Sequence, residues 1–300
     1  MNCTPVFSIV NSNKMLEIFF NKNLLLGESP LWDRKKRILY WIDILDNKIY
    51  AFNEKRFYEF NYSFYISSIG LTNRGNLICA TSKGILIINP FKNEKKIVHN
   101  LLKFPNERGF NRFNDGKIDY QGNFILGSMD KNEIKKSGNL YQINNRGIKL
   151  LDQGYRICNG PAFSPDGKKM YFSDSLNQII YVFDYDSDGG KIYNKEIFTF
   201  FSKKGEFPDG LTVDKTGHLW CAVYGGSRIQ RYSMNGKARE TIDLPVPQIT
   251  SCCFGGEANN FLFITSASKE KSKKNGQNGF VFKYKTKVKG IDSNRYNEER

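Results

Sequence analysis

A chain of 300 residues with 40% hydrophobic and 14% aromatic content can bury a substantial core, which excludes a largely disordered protein. Its net charge of +15 comes from lysines spread along the whole length, with no single basic arm or face, which argues against nucleic-acid binding as the main role. No apolar run approaches the roughly 18 residues that a membrane span needs.

In chain order, the first segment, "MNCTPVFSIVNSNKMLEIFFNKN", lacks a basic start, a long apolar stretch and a small-residue cleavage site, so a signal peptide is not expected. The six cysteines, Cys3, Cys79, Cys158, Cys221, Cys252 and Cys253, form no C-x-x-C pair, and most sit inside apolar runs. They read as small buried hydrophobes with reduced thiols. A cytoplasmic protein that contacts neither nucleic acid nor membrane is expected, as a monomer or weak oligomer.

From residue 38 onward one pattern recurs. Six apolar runs, "ILYWIDI", "NLICATS", "NFILGSM", "KMYFSDS", "HLWCAVY" and "FLFITSA", each follow a polar turn. Each is followed by a second strand-like run, from "NKIYAFN" in the first repeat to "GFVFKYK" in the last. The turn glycines Gly75, Gly122, Gly167 and Gly217 are spaced 47, 45 and 50 residues apart. Several strands per unit at a period near 50 residues indicate a β-propeller, and six such units fill the chain. The fold class is therefore all-β, a six-bladed propeller spanning 1–300 as one domain, with a loose polar tail from about residue 291.

In a propeller the first strand of every blade begins at one axial mouth. Eight residues before the turn glycines stand Asn114, Asn159 and Asp209; Lys36 holds the glycine's place in the first repeat, and eight before it is Glu28. Ser67, and Thr250 or Ser251, complete the register. Two carboxylates and two carboxamides converging on one mouth repel unless a cation neutralises them. A donor set of oxygens without His or Cys suits a single divalent ion: Ca²⁺, Mg²⁺ or Mn²⁺, with Zn²⁺ still open. Only two histidines occur, His99 and His218, both read as surface or turn residues, and no nucleophile elbow, Walker loop or H-E-x-x-H helix is present.

The segments "GESPLWD", "RFNDGKID", "GNFILGSMD", "NGPAFSPDGKKMYFSDS", "FPDGLTVDKTGHLWCAVYGGSRIQRY" and "TSCCFGG" resemble, in order, those of the SMP-30/gluconolactonase/LRE family. The resemblance implies a six-bladed propeller with a divalent metal held by Glu28, Asn159 and Asp209. It implies further that Arg112 and Asn114 hold the substrate, with an acidic residue after Met129 (Asp130 or Glu133) as a further contact. The expected activity is metal-dependent hydrolysis of a small sugar lactone, gluconolactone-like, to the aldonic acid, with Asp209 as the candidate catalytic base and a metal-bound hydroxide as its rival. The alternative is a calcium-binding regulatory protein with little catalysis. Substrate choice is assigned to the loops 53–65 and 131–138.

Overall fold

The computed structural model describes residues 15–104, 107, 109–269 and 276–299; Cys3 and most of the N-terminal stretch lie outside them. After an N-terminal strand, β1 (Leu16–Phe20), the strands follow in four-stranded groups. Blade 1 is β2–β5 (Gly27–Asp33, Ile38–Asp43, Lys48–Phe52, Phe57–Asn61) and blade 2 is β6–β9 (Ile66–Thr72, Leu77–Thr81, Gly84–Asn89, Glu94–Asn100). Blade 3 is β10–β13 (Asn111–Ile118, Phe124–Asp130, Gly138–Asn144, Gly147–Tyr155) and blade 4 is β14–β17 (Cys158–Phe163, Lys169–Asp174, Ile179–Asp186, Lys191–Phe200). Blade 5 is β18–β21 (Phe207–Val213, Leu219–Tyr224, Arg228–Tyr232, Ala238–Asp243). Blade 6 is β22–β24 (Ile249–Gly255, Phe261–Ser266, Val281–Lys285), completed by β1 as its outer strand. The first strands touch their neighbours in a closed ring, β22 returning to β2, so the protein is a six-bladed β-propeller.

The six apolar runs are the second strands of the six blades, and both of their faces are buried. Successive strand residues point to opposite faces, and in a ring each face meets a different neighbour. In β3, Tyr40 and Ile42 pack against blade 2, whereas Leu39 and Trp41 pack against blade 6. In β19, Leu219, Cys221 and Val223 face blade 4 while Trp220 and Ala222 face blade 6. The core is accordingly six apolar clusters, one in each gap between blades. The five described cysteines are free and buried within these blades, as the sequence suggested. No helix of the described residues is long and apolar enough to cross a membrane.

Each first strand ends in a turn, and the repeat glycines Gly75, Gly122, Gly167 and Gly217 adopt φ of 78°, 79°, 71° and 83°, where a side chain would be strained. Side chains of Asp33, Asp119 and Asp214 accept the turn amides, which fixes where these strands stop. In blade 1 the left-handed position falls on Arg37, φ 55°, one residue after the Lys36 expected there. His99 also departs from expectation: it is 3% exposed, inside β9, with Nε2 2.6 Å from the Asn144 carbonyl. His218 does lie in a turn, beside Thr216.

The segment after Gly290 is not a loose tail. It runs across the turn face, opposite the mouth, and forms β25 (Arg295–Tyr296), which pairs in parallel with β6. Arg295 bridges to buried Asp33, and Tyr296 is fully buried in the cluster between blades 2 and 3, its hydroxyl donating to Asn145 Oδ1 at 2.8 Å. Its polar composition hid this, because one buried tyrosine and a few hydrogen bonds carry no periodic signal. Tyr296→Ala is expected to lower stability by about 3 kcal/mol through the cavity it leaves, and Tyr296→Phe by about 1 kcal/mol through the lost hydrogen bond. Urea unfolding of both variants measures this, and equal losses would show that packing is not the larger part.

Candidate metal centre

Pairing with the second strand is interrupted by a register shift in all six first strands. The shifts lie between Glu28 and Leu31, Ile66 and Ser68, Phe113 and Gly116, Asn159 and Ala162, Pro208 and Leu211, and Ile249 and Ser251. A bulge leaves a residue out of the ladder and turns the strand locally. Four of these breaks fall at the register: Glu28 and Asn159 are the last paired residues before the shift, Asn114 and Asp209 lie within it, and the four are 7%, 5%, 7% and 8% exposed. The repeat therefore supplies both the strand and the kink that aims its side chain along the axis. Ser29 at φ 50° and Gly160 at φ 78° form two of the kinks, the latter followed by a cis Gly160–Pro161 bond.

The carboxamides are held in fixed orientations. Asn159 Nδ2 donates to Ser175 Oγ at 2.9 Å, and Ser175 in turn donates to the Pro208 carbonyl at 2.6 Å. Asn159 therefore presents Oδ1 as its acceptor, and that oxygen accepts from Asn114 Nδ2 at 2.7 Å. Asn114 also donates to the Cys158 carbonyl, and its own Oδ1 accepts from Arg112 Nη1 at 2.7 Å. Asn114 thus joins Arg112 to Asn159. Arg112 spends Nη1 on Asn114 and on the Phe113 carbonyl.

The carboxylates are less satisfied. Among the described residues, Glu28 Oε2 accepts only its neighbouring Ser29 amide, and Asp209 Oδ1 is buried without a partner. Burial, and then the charge of Asp115, push the Glu28 carboxyl up to about 8, against the pull of the Ser29 amide, Arg112 and Lys117. Burial raises Asp209 well above the usual carboxylate range, with Glu28 and Asp115 adding to it. These are oxygens in want of a positive charge. Among the described residues no three or more His, Cys, Asp or Glu side chains gather as a metal-holding group; the set on hand is two carboxylates and the Asn159 carbonyl oxygen. All are oxygens, which fits a hard divalent cation with open positions left for other ligands.

The remaining residues of the register do other work. Ser67 donates weakly to the Ala80 carbonyl, and Thr250 donates to Gly27 and Thr265 within the channel wall. Of the acids after Met129, Asp130 accepts the amides of Ile134 and Lys135 through Oδ2 and so shapes its own turn. Glu133 Oε1 meets Lys269 Nζ at 3.1 Å, and among the carboxylates its charge acts most strongly on Arg112. Lys269 follows β23, in the blade opposite, so this pair spans the mouth. Sequence reasoning missed Lys269, since nothing local links residues 133 and 269. It also missed Asp115, whose signal was its place directly after Asn114.

A family model described as "SMP-30/Gluconolactonase/LRE-like region" matches residues 26–268. The chain belongs to this family. Regucalcin of Gallus gallus is 32% identical over 296 residues, covering 93% of this chain and 97% of that protein. Among solved structures, a luciferin-regenerating enzyme superposes with a TM-score of 0.86 at 28% identity, over 94% of this chain and 99% of that one. A regucalcin from Agrobacterium tumefaciens, described as a calcium-binding protein, gives a TM-score of 0.88 at 24% identity, over 93% and 96%; at that identity it speaks for the fold. Membership supports an activity of the lactonase type.

The raised Glu28 carboxyl sets a pH dependence for the metal-free protein. Between its ordinary value of 4.5 and about 8 the folded state keeps a proton that the unfolded chain gives up. This contribution to stability is present in full below that window and is lost as pH rises through it. Glu28→Gln should flatten that part of the slope. Melting of chelator-treated protein across the window checks it; parallel falls in wild type and variant would remove Glu28 as a source.

Proposed function

We propose that this protein hydrolyses a small sugar lactone to its aldonic acid with a divalent cation held by Glu28, Asn159 and Asp209. The observation that carries the reading is the pairing of that oxygen set, with Asp209 Oδ1 buried and unpartnered, with Arg112 bound to the same network through Asn114. A binding-only site needs the first and not the second. When bound, the cation supplies Lewis-acid polarisation of the lactone carbonyl.

The chain's own residues do the rest. Arg112 has donors beyond those it gives to Asn114 and Phe113, and these orient the ring through its hydroxyls. Arg112 stays protonated and cannot serve as the base. Asp209 would be ionised with the cation in place and would then accept a proton from the attacking water. The water oxygen bonds to the acyl carbon, the ring C–O bond breaks, and the departing alkoxide takes up a proton to give the hydroxy acid. Glu133 is better suited than Asp130 to a further hydroxyl contact, because Asp130 is committed to its own turn while the Glu133 charge acts on Arg112.

Acid release from a panel of aldonolactones, before and after EDTA and with each divalent ion restored, tests the reading. Asp209→Asn is expected to lower kcat by about 100-fold or more, and Arg112→Leu to act chiefly by raising KM. Calcium binding without acid release from any lactone would overturn the enzymatic reading and leave a calcium-binding role.

A further inference from the structure

The channel beneath the mouth holds a third carboxylate and an ammonium group that the steps above do not use. Asp115 is 6% exposed; its Oδ1 accepts the Gly116 amide at 2.8 Å, and its Oδ2 accepts the amide of Gly160, next to Asn159, at 3.1 Å. Lys117, two residues further along β10, enters the same channel. With Asp115, Ser29 and Ser251 it lines a cavity of about 80 Å³ between the mouth and the C-terminal segment. Its Nζ crosses from blade 3 to blade 5 and donates to the Leu211 carbonyl at 2.9 Å, two residues beyond Asp209. Its charge reaches both neighbouring acids: it is the largest influence holding Asp115 down against burial, and it also lowers Glu28.

We infer that Lys117 is an internal counter-charge that biases the mouth toward cations of lower charge. The inference rests on the metal reading above. Arg112 acts on Glu28 and Asp209 from the substrate side, and Lys117 adds a fixed positive charge on the channel side, its Nζ held two residues beyond Asp209 in the wall that Asp115 also lines. Without the lysine charge the channel attracts every cation more strongly. The gain scales with the charge of the ion, so a trivalent ion gains half as much again as a divalent one.

Ca²⁺ and Tb³⁺ are close in size and differ in charge. Calorimetric titration of each into chelator-treated wild type, Lys117→Gln, Lys117→Met and Lys117→Arg tests the inference, with circular dichroism confirming that each variant is folded. Both neutral variants should favour Tb³⁺ over Ca²⁺ by about tenfold more than wild type does, and Lys117→Arg should keep the wild-type ratio. Glutamine retains a hydrogen-bond donor, so a change seen in Lys117→Met and absent in Lys117→Gln would assign the effect to the Leu211 contact and overturn the inference. An unchanged ratio in both, with normal wild-type binding, overturns it alone. Wild-type protein that binds neither ion overturns the metal reading and this inference together.

Discussion

Six strands starting around one axis must share the volume at its mouth, and much of this molecule follows from that crowding. Charged side chains brought there lose water, which burial makes costly. The raised carboxyls of Glu28, Asp115 and Asp209 record that cost. The charges are not removed by pairing with one another, since all three carry the same sign. They are instead surrounded by directed donors: the Ser29, Gly116 and Gly160 amides, the Lys117 ammonium and the Arg112 guanidinium.

The ring is what makes such a mouth tolerable. Each gap between blades holds its own apolar cluster, so the packing that fixes one first strand is supplied by both neighbours. A ring of this kind is weakest where its chain begins and ends. Here β1 supplies the outer strand of blade 6, and the C-terminal segment ties blades 1, 2 and 3 together across the turn face. Both closures lie away from the mouth, so they hold the first strands in place without occupying the site.

What was legible in the sequence is what the fold repeats. The glycine spacing fixed the blade count, because the left-handed turn recurs in each unit and is cheapest with glycine. The register of Glu28, Asn114, Asn159 and Asp209 followed from the same count, since strand length between mouth and turn is nearly constant. Features made once were not legible. Tyr296 sits in a cluster 150 or more residues from most of its contacts in sequence, and the Glu133–Lys269 pair joins opposite blades. His99 looked like a turn residue because its strand is otherwise lysine-rich and exposed; it alone turns inward to Asn144.

Asp130 and Asp209 show why the chemistry sits on first strands. Both acids lie at the mouth end of a strand. Asp130 ends β11, where the chain enters a loop, and the loop folds back to give its carboxylate two amides. Asp209 lies inside a bulge of β18, clamped between blades 4 and 6, with Gly210 so close to Ser251 that a Cβ there would meet Ser251 Oγ. That backbone cannot rearrange to satisfy Oδ1, and an unmet buried acceptor costs about 1–3 kcal/mol. A loop relieves such a debt by moving; a first strand cannot, and so keeps an oxygen available for a ligand. Rigidity in the ring is therefore the condition for an unsatisfied carboxylate to persist, and an unsatisfied carboxylate is what gives the mouth something to bind with.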